Sequence, residues 1–256
     1  MNPILTTDDI EFYRTNGYIQ IHDILTPEEL EDVRAGVDEV VRQRDSSQDG
    51  GEPEYAKVFL QMVNLWRINQ KVKNHVFSPK LAAIAKQLIG CDGVRLWHDH
   101  ALIKLPKDSR ESAWHQDYPY WPHDRPESVS CWMALDDVYP ENGCMSFVPK
   151  SHTWGILQPI SLGSPQDLFA QVPSPETKDF TPVSMPMKAG SCTFHHGLTF
   201  HYAGPNTTSA PRRAMVTIYM ADGVCYNGAA HVCTDGQGFS VGDRLEGDIF
   251  PVLETP

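Results

Sequence analysis

The sequence predicts a mainly β domain, an antiparallel sandwich or barrel with helices packed outside it. Three observations lead there. From about residue 93 the chain becomes a succession of short β-branched or aromatic runs separated by turn residues: "VRLWHDHALIKL", "SVSCWMALDDV", "CMSFVP", "GSCTFHHG" and "RRAMVTIYM". Strong helical patterning is confined to the residues before that point. No linker composition separates the two parts, so the 256 residues read as one domain, 1–256. Its divisions are a helical N-terminal support over about 1–92, a β core over about 93–222 and a C-terminal extension over 223–256.

Each element has a local reason. "TTDDIEFYRTNGY" has a cap candidate at Thr6 or Thr7 and acids in its first turn, and Asn16-Gly17 ends it. "YIQIHDIL" alternates like a short strand. "TPEELEDVRAGVDEVVRQR" is a helix in which Thr26 caps, Pro27 takes the first helical position and Glu29 completes a capping box. Leu30, Val33, Val37, Val40 and Val41 form its buried stripe. "DSSQDGGEPE", 45–54, reads as a mobile polar loop, and "LAAIAKQLIG", 81–90, as a further helix closed by Gly90. Asn142-Gly143 between two apolar runs signals a tight hairpin. Residues 151–188 hold six prolines and little periodicity, and are the lid candidate, with Trp154, Gln158 and Phe169 within reach of a substrate.

Bulk properties exclude several classes. A net charge of −12 argues against a nucleic-acid partner, which would call for a basic face. No run approaches the roughly 18 apolar residues of a membrane span, and the N-terminus shows no basic stretch followed by an apolar one. The six cysteines include no C-x-x-C pair, which fits reduced core thiols. The expectation is a soluble, cytoplasmic protein acting on a small molecule.

The chemistry is concentrated in "WHQDYPYW", 114–121. On a strand, residues i and i+2 share a face, so His115 and Asp117 would stand side by side with Gln116 turned away. That is the local arrangement of two ligands of a 2-His-1-carboxylate triad, which holds Fe(II) and leaves positions open. A third ligand is available from His195, His196 or His201, and His201 stands out because it precedes the turn "YAGPN". An iron that activates O2 needs two electrons, which 2-oxoglutarate can supply if a fixed cation grips its distal carboxylate. Arg212 and Arg213 are both available, and alternation lets only one face in. Arg212 shares its face with Ala214, Val216, Ile218 and Met220, an apolar set suited to a barrel interior, whereas Arg213 has Met215, Thr217 and Tyr219. Arg212 is the better candidate.

The order H-x-D, a long β-rich interval, then a histidine followed eleven residues later by an arginine resembles the phytanoyl-CoA dioxygenase family. "GYIQIHDILTPEEL", "ALIKLP", "ENGCMSFVPKSHT" and "HYAGPNTTSAPRRA" match further family segments, and the resemblance runs from about residue 8 to 220. It implies a double-stranded β-helix (a cupin-like jelly roll) and a non-haem dioxygenase using Fe(II), 2-oxoglutarate and O2. By position it implies iron ligands His115, Asp117 and His201, with His196 the runner-up ligand, and Arg212 on the 2-oxoglutarate 5-carboxylate. Trp132 falls where relatives place an aromatic beside the co-substrate, and His100 and Lys104 where polar side chains reach it. Lys150 replaces a glycine usual in the family, and Gly190-Ser191 stands where a Gly-Asp is usual; both read as neutral. Halogenating relatives lose the carboxylate, so an intact Asp117 points to hydroxylation of an unactivated C–H or another oxidation. Tyr118, Tyr120, Trp121 and His123 continue from the ligands towards solvent as substrate-entrance candidates. No basic cluster suits a CoA nucleotide, which favours a small or natural-product substrate. The alternative is a cupin-type isomerase or binding module that does not use 2-oxoglutarate; a zinc hydrolase would leave the arginine without a purpose.

Overall fold

In a computed structural model, residues 5–43, 59–107, 109–160 and 171–254 are described. The expected polar loop at 45–54 and Phe169 lie outside them. Helix α1 (Thr7–Asn16) starts where the Thr6 hydroxyl accepts from Asp9 N–H while the Asp9 carboxylate accepts from Thr6 N–H, and stops at Gly17 in the left-handed region. Thr26 and Glu29 make the same reciprocal cap at the start of α2 (Pro27–Gln43), which buries Val33, Gly36, Val37 and Val40. A short α3 (Gln70–Val76) is capped by Asn69, and α4 (Pro79–Ile89) ends at Gly90.

Among the described residues, eleven strands form two antiparallel sheets. They are β1 (Tyr18–Ile21), β2 (Leu60–Val63), β3 (Val94–Lys104), β4 (Ser112–His115), β5 (Ser128–Ala134), β6 (Met145–Phe147), β7 (Val183–Ser184), β8 (Cys192–His196), β9 (His201–Ala203), β10 (Arg212–Ala221) and β11 (Val252–Glu254). The larger sheet runs β1-β8-β5-β10-β3-β11, with β2 also on β3; the smaller runs β4-β9-β6-β7. This is the jelly roll that the family resemblance implies. The N-terminal quarter is more than a support, because β1 and β2 extend the larger sheet. Asn142-Gly143 does not close a hairpin. A turn at Pro140–Asn142, ended by Gly143 at φ 83°, carries the chain from β5 in one sheet to β6 in the other.

Alternation on the larger sheet divides the core in two. Outward-facing Cys131, Met133, Phe194, Met215 and Tyr219 pack with the helices, while Trp132, Ala214, Val216 and Ile218 turn inward towards the smaller sheet. Arg213 faces out: its guanidinium binds Asp136 at 2.7 Å and Asp38 of α2 at 2.9 Å. The neighbouring Arg212 therefore faces in, where it is 2% exposed.

Candidate metal centre

Strands β4 and β9 pair so that His115 lies opposite His201. His115 Nδ1 meets Ala113 O at 2.7 Å and His201 Nδ1 meets Thr199 O at 3.0 Å. A carbonyl only accepts, so each Nδ1 carries a hydrogen and each Nε2 presents a lone pair, the tautomer a metal requires. Asp117 supplies the carboxylate: its Oδ1 is 3.6 Å from His115 Nε2 and 3.4 Å from His201 Nε2. The approach differs from the strand-face expectation. β4 ends at His115, and Asp117 opens a tight turn over Tyr118–Tyr120, which swings the carboxylate beside the imidazoles.

Oδ2 of Asp117 is held from behind. Ser130 Oγ donates to it at 2.9 Å and His195 Nε2 at 3.1 Å. Ser130 was not among the expected site residues, and His195, one of the three histidines available as third ligand, holds the carboxylate instead; β5 and β8 register Ser130 opposite His195, and the two reach the carboxylate together. Burial opposes ionisation of Asp117, but His201, His115 and His195 outweigh it and keep the carboxyl well below the usual range. Burial and the adjacent His201 ring push His115 below the usual imidazole range. His115, Asp117 and His201 are the only group of three such side chains that converges among the described residues, with ligand atoms within 4.8 Å of one another. His196 turns away, its Nδ1 accepting from Leu198 N–H at 3.0 Å and its ring 5.6 Å from His152.

The triad opens into a cavity of about 360 Å³ lined from both sheets, within the range of small-molecule sites. Arg212 lines it, with its guanidinium 5.2 Å from the Trp132 ring. Two guanidinium nitrogens, Nε and Nη1, are buried without a partner among the described residues. A buried cation with unused donors fits a carboxylate, so the donor set suits an anionic metal chelator such as 2-oxoglutarate. Lys104 pairs with Arg212 across the β3–β10 ladder, but it is buried and is not among the cavity-lining residues. Its ammonium donates to Arg110 O at 2.6 Å, and burial plus the Arg212 charge push it down to about 6.

The remaining candidates separate. His100, Tyr120 and Trp121 line the cavity. Tyr118 and His123 do not: the Tyr118 hydroxyl donates to His123 O, and the His123 ring packs 4.5 Å from Trp97, so both serve the wall behind. Trp154 packs on Phe200 away from the site. Gln116, expected to turn away from the ligands, ties down the following segment by donating to Gly155 O and Leu198 O and accepting from Leu157 N–H. The Tyr120 hydroxyl fixes the same segment through Ile160. Two histidines absent from the expectations, His98 and His231, join His100 on the cavity wall.

Comparisons with known proteins give the family and its fold. Residues 13–214 match the phytanoyl-CoA dioxygenase (PhyH) family. A methylphosphonate hydroxylase of Gimesia maris is 26% identical over 231 residues, covering 86% of this chain and 83% of that protein. A phytanoyl-CoA dioxygenase of Arabidopsis thaliana is 26% identical, covering 82% and 87%. Among solved structures, SnoK, a non-haem α-ketoglutarate-dependent carbocyclase of nogalamycin biosynthesis, superposes with a TM-score of 0.84 at 29% identity, over 97% of this chain and 96% of that one. The epimerase SnoN, solved with Fe3+, α-ketoglutarate and nogalamycin RO, gives 0.79 at 27% identity, over 96% and 97%.

Proposed function

This chain belongs to the phytanoyl-CoA dioxygenase family, and from that premise we propose that it is an Fe(II)- and 2-oxoglutarate-dependent dioxygenase hydroxylating an unactivated C–H of a small molecule. The observation that carries the reading is one juxtaposition. Two imidazoles with fixed Nε2 lone pairs and one ionised carboxylate share a cavity with a buried arginine whose Nε and Nη1 have no hydrogen-bond partner among the described residues.

His115, Asp117 and His201 would hold the metal and Arg212 the distal carboxylate of 2-oxoglutarate. When bound, the iron and its co-substrate supply a two-electron oxidation of the C–H by O2, coupled to decarboxylation of 2-oxoglutarate to succinate and CO2. The chain's own contribution is geometric and electrostatic. His195 and Ser130 occupy Oδ2 of Asp117, which leaves Oδ1 to face the centre. Trp132 lies over the Arg212 guanidinium and shields its charge from water. Gln116 and Tyr120 pin residues 155–160 beside the ligand turn, so the approach to the cavity keeps its shape. The six cysteines are free, which supports a reducing intracellular compartment.

The experiment is a metabolite screen scored by succinate release from 2-oxoglutarate. Release that requires Fe(II), rises with one substrate and vanishes in His115→Ala is expected. Iron retention with no succinate from any candidate would favour the cupin-type reading instead.

A further inference from the structure

Three imidazoles that the metal centre does not use occupy one wall of the cavity: His98 and His100 on the inner face of β3, and His231 from the segment after β10. His231 is set there by Trp97, whose ring lies 4.9 Å from it and 4.9 Å from Phe250. The His98 and His100 rings are 5.2 Å apart, and the His98 and His231 rings 5.6 Å. They do not form a second metal site, since only the triad converges among the described residues.

Their hydrogens can be assigned from their neighbours. His98 Nδ1 is 3.4 Å from Asp99 O and 3.4 Å from His100 Nδ1. The carbonyl only accepts, so His98 Nδ1 carries a hydrogen and His100 Nδ1 receives it. His231 Nδ1 accepts from Cys233 N–H at 3.2 Å. Every hydrogen bond these rings make among the described residues is therefore at Nδ1. His98 is left with an accepting Nε2, and His100 and His231 each with a donating Nε2–H. Burial keeps all three neutral: it pushes His100 and His231 to about 4 and His98 well below its ordinary range.

We propose that this wall is the substrate-recognition surface, and that it takes an uncharged, oxygenated ring compound presenting both hydroxyl hydrogen and oxygen acceptors. Neutral imidazoles hydrogen-bond to alcohols and ketones without supplying the counter-charge that a phosphate or CoA ester requires. Among the described residues the charged side chains on the cavity lining are Asp117 and Arg212, both assigned to the metal and co-substrate end. On the same lining, Trp121, Tyr120, Phe59 and Val216 offer an apolar and aromatic surface suited to a flat ring body. The inference rests on the dioxygenase reading for its location but is separable from it by measurement.

The test uses full-length protein loaded with Zn(II) and 2-oxoglutarate, so that no turnover occurs, and reads binding by tryptophan fluorescence. Probes share one ring body: 2,6-dihydroxynaphthalene, naphthalene and naphthalene-2-sulfonate. Wild type should bind the diol about tenfold tighter than naphthalene and disfavour the sulfonate. His98→Leu and His100→Leu should each remove most of that preference, whereas His100→Gln, which keeps a donor near the Nε2 position, should retain it. The inference is overturned by equal binding of diol and naphthalene, by tighter sulfonate binding, by failure of the diol to bind, or by Leu variants that keep the preference. A parallel anaerobic sample with Fe(II) and 2-oxoglutarate reports whether each variant forms the visible charge-transfer complex. With the complex present and the preference absent, only the wall assignment falls; with the complex absent in wild type, the dioxygenase reading falls.

Discussion

Arg212→Met should make the free protein more stable and the co-substrate bind far worse, a combination that few other roles for this residue produce. Arg212 is 2% exposed and its Nε and Nη1 have no partner among the described residues, so burial strips these donors of water without pairing them there. Burial pushes the guanidinium down to about 10. Measured from an ordinary value of about 12.5, at about 1.4 kcal/mol per unit, the penalty is roughly 3 kcal/mol. The Trp132 ring 5.2 Å away returns about 0.5–2 kcal/mol of that. Methionine fills similar space beside Trp132, so the variant without co-substrate should gain about 1–2 kcal/mol in urea unfolding. Removing the cation from a buried carboxylate pair costs about 2–5 kcal/mol, so the Kd for 2-oxoglutarate should rise about 30-fold to about 5,000-fold in anaerobic titrations. A variant that is less stable when free and binds 2-oxoglutarate as tightly as wild type would refute the assignment.

Other perturbations have equally definite signs. His195→Leu frees Oδ2 of Asp117 and should weaken Fe(II) binding about 10- to 100-fold in a chelator competition, while His196→Leu, on the other face of β8, should not. His75 is 7% exposed, and burial pushes it to about 4. Its folded value lies below its unfolded value of about 6.5, so the unfolded chain binds more protons and stability falls as pH drops from about 6.5 to about 4. His75→Leu should flatten that slope by up to about 3 kcal/mol between neutral pH and pH about 4, read from urea midpoints. Gly143→Ala would place a Cβ 2.4 Å from Gly204 O at φ 83°, and should destabilise by more than about 2 kcal/mol in the same assay.

The β core was legible because β3, β5, β8 and β10 are long enough to show alternating or continuous apolar runs. The helices with capping boxes were legible for the same local reasons. Strands β2, β7, β9 and β11 span two to four residues, too few for a period to register. Asp117 was found by a correct pairing and an inexact geometry: the two-residue spacing to His115 is real, but a turn, not a pleat, brings the side chains together. Choosing His195 over His196 requires the register of β8 on β5, which a single strand does not encode. His98 was within reach, since it alternates onto the same face as His100 and Lys104. His231 was not, because it follows the last long strand in a segment without periodicity and is placed by Trp97 and Phe250.

The most direct test of the central claim is an absorption spectrum taken under argon after adding Fe(II) and then 2-oxoglutarate to the full-length chain. The site predicts a visible charge-transfer band that appears only with both, disappears in His115→Ala and Asp117→Ala, and needs far more 2-oxoglutarate in Arg212→Met than in Arg213→Met. Iron bound at the triad with no band at any 2-oxoglutarate concentration would contradict it.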